Sequence, residues 1–175
     1  PFHKPPDHLH SYSLTGSPRD SKPQHMKAMV EAMDTEIGRI LAALERGPGE
    51  RTTVFFVGDN GTDSAATTAP FEPLKAKGTL YEGGVRVPLI VAGAGVRNPG
   101  RECRSIVHAL DMFATVADQV GVPVPGDRKV DSVSLRPYLE DRPHPAPHEY
   151  IYTERFTPNG PAPSTYHHQA VRSQR

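Results

Sequence analysis

Thr52-Thr53-Val54-Phe55-Phe56-Val57-Gly58-Asp59-Asn60-Gly61 is the stretch that decides how the chain is read. Its first six residues are β-branched or aromatic and apolar on both faces. That composition suits a short strand buried in a parallel sheet. The strand stops at two glycines enclosing Asp59 and Asn60, where the backbone must bend sharply. Upstream, Met26, Met29, Val30, Met33, Ile37, Ile40, Leu41 and Leu44 recur at steps of three and four. The spacing predicts a helix over 24–46 with one apolar face turned to a core. Ser21 and Gln24 fit a capping box, Gly47-Pro48 is a stop, and the methionines read as flexible packing.

Downstream, Val85-Arg86-Val87-Pro88-Leu89-Ile90-Val91-Ala92 reads as a second strand, which Pro88 confines to an edge or bulge. Ile106, Val107, Leu110, Phe113, Ala114, Val116, Ala117 and Val120 predict a second amphipathic helix, closed by Gly121 and Pro123. Leu135 and Leu139 form a short apolar pair, Tyr150-Ile151-Tyr152-Thr153 reads as a strand, and 170–175 could begin another. Residues 1–22, 62–80 and 157–169 lack periodicity and read as loop. Helix, strand, loop, strand, helix indicates an α/β layered fold. In open α/β sheets ligands gather at the carboxyl ends of strands, where Asp59 and Asn60 stand.

Bulk properties narrow the function. The 175 residues carry 20 Lys+Arg against 20 Asp+Glu, a net charge of zero, which argues against a protein that coats nucleic acid or an anionic membrane. No apolar run approaches the ~18 residues of a membrane span. Nineteen prolines and fifteen glycines imply many turns. A single cysteine excludes an intrachain disulfide and any cysteine-rich zinc site.

Two segments carry chemistry. A carboxylate beside an amide oxygen, Asp59-Asn60, is a pair of hard donors suited to calcium or magnesium. Asp-Asn and Asn-Gly are also turn formers, so residue types alone leave turn and metal site open. Lys77-Gly78-Thr79-Leu80-Tyr81-Glu82-Gly83-Gly84-Val85-Arg86-Val87-Pro88 combines a cation with a glycine pair. An ammonium suits an anionic oxygen, and Gly-Gly lets backbone approach a ligand; a solvated lysine before a tight turn is the other reading.

Together the two segments resemble the sulfatases of the alkaline phosphatase superfamily. Met33-Asp34-Thr35-Glu36-Ile37-Gly38-Arg39-Ile40-Leu41 is similar to the family helix before the metal strand. Ala109 to Ala117, ending at Gly121-Val122, resembles the following helix, and Asp131-Ser132-Val133-Ser134-Leu135 resembles the Asp-Gly-x-Ser-Leu segment. The order is kept from residue 1 to about 155. The resemblance implies a three-layer sandwich with a mostly parallel sheet, present here only in part. Residues 1–155 would be part of the catalytic domain without its N-terminal portion, and 156–175 a loop leading to a truncated C-terminal segment.

The resemblance also implies a reaction: calcium-assisted hydrolysis of sulfate esters by a formylglycine hydrate. Asp59 and Asn60 match the second pair of metal ligands, and Lys77 matches the lysine that contacts the sulfate and leaving oxygen. Asp-Asn suits one hard cation, whereas two-metal phosphatases favour Asp-His there. The nucleophile is not in this chain. Cys103-Arg104-Ser105-Ile106-Val107 lacks the proline and arginine of Cys-x-Pro-x-Arg and follows the metal pair, so Cys103 reads as a partly buried structural thiol. The first metal pair is also missing, and formylglycine is expected upstream. If Pro1 closes a Pro-His-x-Pro motif with its trailing proline, the catalytic histidine precedes the chain, and His3 is left as a pocket-lining candidate. His8 and His10 read as solvated loop, and His144, His148, His167 and His168 as surface. The implied partner is a small-molecule or glycan sulfate ester, with no nucleic acid and no membrane. Two rivals stand: a phosphonate or phosphate ester hydrolase of the same superfamily, and a non-catalytic sulfatase-like domain. The chain by itself is expected to be inactive and poorly stable. A periplasmic or secreted setting is compatible with the sequence; localisation, oligomeric state and the identity of the ester are not legible.

Overall fold

A computed structural model of the chain describes residues 2–158, 163 and 165–174. In chain order its main elements are α1 (Lys22–Glu45), β1 (Thr53–Val57), α2 (Glu82–Val85), β2 (Leu89–Gly93), α3 (Asp111–Gln119), α4 (Arg136–Leu139), β3 (Tyr150–Thr157) and β4 (Tyr166–Ser173). They fall into two compact units, Pro1–Thr52 with Gly58–Val87, and Thr53–Val57 with Pro88–Arg175. Among the described residues no helix is long and apolar enough to cross a membrane.

The first unit is organised by α1. Proline sits in its first turn, and the Gly47 N–H bonds back to Leu44 O at 2.9 Å beyond its end. Ser21 is the N-cap residue, but its hydroxyl donates to Gln24 Oε1 at 2.8 Å and caps no backbone N–H, so the capping box does not close. His25, Ala28 and Ala32 form the buried stripe, and the small alanines let neighbouring turns come close. Thr35 Oγ1 donates to Leu9 O at 3.0 Å, tying the N-terminal segment across the helix. His10, read from sequence as solvated, has a side chain only 1% exposed. Of the expected apolar face, Val30, Met33, Ile40 and Leu41 are 41–61% exposed, because nothing among the described residues covers them.

Three glycines close the rest of this unit. The Gly61 N–H donates to Gly84 O at 2.9 Å, and the Lys77 N–H donates to Thr62 O at 3.0 Å. A Cβ on Gly61 would overlap the Gly83 carbonyl, and one on Gly83 would lie 2.6 Å from Lys75 O. A Cβ on Gly84 would lie 2.8 Å from Ala76 O and closer still to Thr79 O. Gly78 turns the chain at φ +83°. The Gly-Gly pair therefore admits backbone against backbone, not a ligand, which corrects the sequence reading.

In the second unit β1 pairs antiparallel with β2, Thr53 opposite Gly93 and Val57 opposite Leu89. β1 read as a strand buried in a parallel sheet, but all five of its residues are half-buried here. Pairing direction is set by the partner's path, which local composition does not carry. β2 starts after Pro88, so the ring ends the preceding turn and leaves the ladder intact. β3 and β4 form a second antiparallel pair from Tyr150–Ser173 to Thr157–Tyr166. Strand therefore occupies part of the stretch that read as loop, of which 159–162 and 164 lie outside the described residues, as do Pro1 and Arg175.

α3 presents the unexpected face. Phe113, Val116 and Val120 are 47–66% exposed, while Asp111, Ala114 and Thr115 are buried. The Asp111 carboxylate accepts N–H groups from His108 at 2.8 Å and Val133 at 3.0 Å, and lies 2.8 Å from His148 Nε2. Thr115 Oγ1 donates to Asp111 O at 2.6 Å and accepts from Leu135 N at 2.9 Å. Ser132 Oγ bridges Leu110 O and Ala114 N at 2.7 and 2.9 Å. These bonds dock 132–135 on the helix and bury Leu135 and Leu139. His148 is thus part of this cluster and not a surface residue as its sequence context suggested. Gly121, at φ +72°, ends α3 with N–H bonds from Gly121 to Asp118 O and from Val122 to Ala117 O, a Schellman motif.

Two predictions follow from this packing, both for the full-length protein. Gly61→Ala should cost about 3 kcal/mol from the forced backbone shift, whereas Gly38→Ala, whose methyl would meet nothing, should stabilise α1 by about 0.5–1 kcal/mol; urea midpoints decide, and equal midpoints would refute the close approach. Asp118 is held below its usual 3.8 first by the Ser134 hydroxyl, then by Arg136. A depressed carboxyl stabilises the fold above its unfolded value and loses that contribution as pH falls through the folded one. The stability gap between wild type and Ser134→Ala should therefore narrow when pH drops from about 7 to about 3. A gap that does not change with pH would show the bond to be neutral-state only.

Candidate functional site

Asp59 and Asn60 lie just past the end of β1, both exposed, in the turn that Gly61 anchors to Gly84. Lys77 is exposed and anchored through its own N–H to Thr62. The two backbone bonds bring residues 59–62 alongside 77–84, uniting in one unit two segments that are separated in sequence. Among the described residues, no hydrogen bond or ion pair engages the side chains of Asp59, Asn60 or Lys77.

The neighbours show that this openness is selective. Lys75, two residues from Lys77, is bound to Glu72 at 2.9 Å and lies 5.5 Å from the centroid of the Tyr81 ring. The Glu72 hydrogen bond, then its charge, raises the Lys75 ammonium above its usual range. Asp63 accepts from Ala65 N at 3.0 Å and so caps the 3₁₀ turn Ser64–Ala66. Thr67 Oγ1 donates to Asp63 O at 3.0 Å, and Thr79 Oγ1 to Ala76 O at 2.8 Å. Asp63, Thr67, Lys75 and Thr79 are thus committed to local partners, while the exposed Asp59, Asn60 and Lys77 side chains are not.

The donor set bears on a metal. A carboxylate and a carboxamide oxygen are hard and fit calcium or magnesium, with no sulfur or imidazole to favour zinc. Among the described residues no three His, Cys, Asp or Glu gather as a metal cluster. Asp59 and Asn60 together would offer fewer than the six to eight oxygens calcium takes.

His3 is exposed, and its N–H lies 3.4 Å from Met29 Sδ, which ties its segment to α1. Among the described residues no hydrogen bond or ion pair joins it to Asp59, Asn60 or Lys77. Cys103 is exposed, not partly buried as expected, because the segment around it has no regular structure to cover it. Sequence reasoning missed Asp111 and His148 as a pair. An aspartate followed four residues later by threonine on a helix of apolar residues was the available signal.

The description "Sulfatase" fits residues 3–122 of this chain at the level of the family profile. Mouse steryl-sulfatase is 36% identical over 132 residues, which is 70% of this chain and 21% of that protein. A sulfatase from Formosa agariphila is 37% identical over 136 residues, 68% of this chain and 24% of its own length. The chain thus spans about a quarter or less of these relatives. Among solved structures, a 2-O GAG sulfatase superposes with a TM-score of 0.64 at 26% identity, covering 87% of this chain and 31% of that one. A protein in complex with its substrate D-glucosamine-2-N,6-O-disulfate gives 0.65 at 25% identity, covering 86% and 30%. The phosphonate monoester hydrolase of Silicibacter pomeroyi gives 0.61 at 26% identity, covering 81% and 28%. The partial sheets and helices described above are therefore a portion of the alkaline-phosphatase-like α/β fold. With its strand-end Asp-Asn pair and its Lys-Gly-Thr loop in one unit, the chain belongs to the sulfatase family.

Proposed function

We propose that the protein of which this chain is part hydrolyses sulfate esters, and that Asp59, Asn60 and Lys77 are its contribution to the site. The observation that carries this reading is the trio of exposed side chains without local partners, on backbone that the Gly61–Gly84 and Lys77–Thr62 bonds hold together. Asp59 and Asn60 would hold one hard cation, calcium first and magnesium second, completed by donors outside this chain. When bound, such an ion offsets negative charge on the ester oxygens. Lys77 would place an ammonium with three donors against the sulfate and the leaving oxygen, where charge builds as the ester bond breaks. His3 would line the substrate side. Cys103 is not the nucleophile: it follows the metal pair and lacks the flanking proline and arginine. A formylglycine outside this chain fills that role in the proposal, and residues 1–155 would belong to the catalytic domain.

Two substrate classes have support. The steryl-sulfatase relative points to a small apolar ester, and the GAG sulfatase and the disulfated glucosamine complex point to a glycan. A second reading, a phosphonate or phosphate ester hydrolase, rests on the phosphonate monoester hydrolase neighbour. The Asp-Asn pair weighs against a two-metal phosphatase, in which imidazole commonly replaces the amide.

The test is turnover of an aryl sulfate, an aryl phosphonate and an aryl phosphate by the full-length protein. The sulfate should be the preferred ester. Lys77→Ala and Asp59→Ala should each lower kcat/KM for it by about two to three orders of magnitude. Preference for the phosphonate would select the second reading, and full activity in both variants would remove these residues from the site.

A further inference from the structure

Asn60 is followed by Gly61, and that step carries a reaction of its own. The main-chain nitrogen after an asparagine can attack the side-chain carbonyl carbon and close a cyclic imide. A Cβ on the following residue hinders the attack, so glycine leaves the nitrogen most accessible. The chain has two such steps, Asn60-Gly61 and Asn159-Gly160, and the second lies outside the described residues.

At the first step the fold sets two demands against each other. Close packing requires glycine at 61, because a Cβ there would overlap the Gly83 carbonyl. Glycine at 61 in turn opens Asn60 to attack. The attacking nitrogen, however, is the one whose N–H donates to Gly84 O at 2.9 Å. While that bond is made, the nitrogen keeps its proton and its N–H is directed at Gly84. The Gly83 and Gly84 backbone packed against it limits how far the Gly61 peptide can swing. The Lys77 N–H to Thr62 O bond, at 3.0 Å, holds the next residue of the same turn. The Asn60 side chain is exposed, and among the described residues no hydrogen bond engages it. The carbonyl under attack is thus open, and the nitrogen that would attack it is held.

We propose that Asn60 is a deamidation site that the Gly61–Gly84 hydrogen bond holds in check. When the bond opens, base removes the Gly61 amide proton and the nitrogen bonds to Asn60 Cγ. The Cγ–Nδ2 bond then breaks, and the amide leaves as ammonia, taking a proton from solvent. Water opens the resulting succinimide at either carbonyl. Addition at Cγ restores the peptide and leaves aspartate; addition at the main-chain carbonyl leaves isoaspartate, with the main chain running through Cγ. Under the sulfate-ester reading, aspartate keeps an oxygen for the cation and adds a charge, whereas isoaspartate reroutes the backbone and displaces the donor. The modification itself stands apart from that reading, since no step of it involves turnover.

Peptide mapping by mass spectrometry tests it on the full-length protein in mildly alkaline buffer, beside the same protein in denaturing urea and a synthetic peptide of residues 52–65. Mapping also separates Asn60 from Asn159. Asn60 should convert to both products in the peptide and in urea, and at least about tenfold more slowly in the folded protein, as one closed backbone bond implies. Hydrogen exchange on the folded protein should show the Gly61 N–H protected by a similar factor, since one opening governs both reactions. Gly84→Ala, whose methyl would lie 2.8 Å from Ala76 O and closer still to Thr79 O, displaces the acceptor and should return the rate towards that of the peptide. If that variant melts early, exchange in the wild type decides alone. Equal rates in folded protein and peptide would overturn the proposal. So would a slow folded rate beside an unprotected Gly61 N–H, and so would an Asn60 that survives unchanged in the peptide.

Discussion

The site depends on two stretches of backbone lying closer than any side chain would permit. Gly61 meets Gly83 and Gly84 without a Cβ on any of the three, and the Gly61 N–H to Gly84 O bond is the closest tie between the turn after β1 and the Lys77 loop. Beside that contact, Asp63, Thr67 and Thr79 are hydrogen-bonded within the turn and loop. Asp59, Asn60 and Lys77 are exposed beside it. Packing is thus divided between adjacent residues: glycines set the distance, local hydrogen bonds hold the loop, and the side chains proposed to bind the ligand take no part in either.

The second unit solves a different problem with one buried carboxylate. Asp111 is fully buried, yet it is satisfied by two backbone N–H groups and by His148. Burial of an unpaired charge would be prohibitive, and three partners are what make it tolerable. Through Thr115 and Ser132 the same cluster fixes 132–135, and with it Leu135 and Leu139. This is also why α3 turns its polar stripe inward and leaves Phe113, Val116 and Val120 open.

Much of this was legible in the sequence where the signal is local. Periodicity located α1 and the core of α3, β-branched and aromatic runs located β1 and β2, and Gly121 marked a helix end. Asp59, Asn60 and Lys77 stood out because their residue types fit one chemistry and their flanking motifs resemble one family. What escaped was non-local. The apolar period of a helix gives a stripe but not what covers it, so Val30 and Met33 read as core and are exposed. The direction of β1 against β2 follows from the route of residues 58–88, not from either strand. The role of Gly83-Gly84 depends on Lys75, Ala76 and Thr79 passing beneath it, and His148 finds Asp111 across 37 residues.

The central claim is that Asp59, Asn60 and Lys77 converge on one ligand. The most direct measurement is a crystal structure of the full-length protein grown with calcium and a sulfate ester analogue. The account predicts oxygens of both Asp59 and Asn60 at about 2.3–2.6 Å from the ion, with Lys77 Nζ in hydrogen-bond contact with the sulfate. An ion held without either residue, or a Lys77 side chain directed away from the bound sulfate, would contradict it.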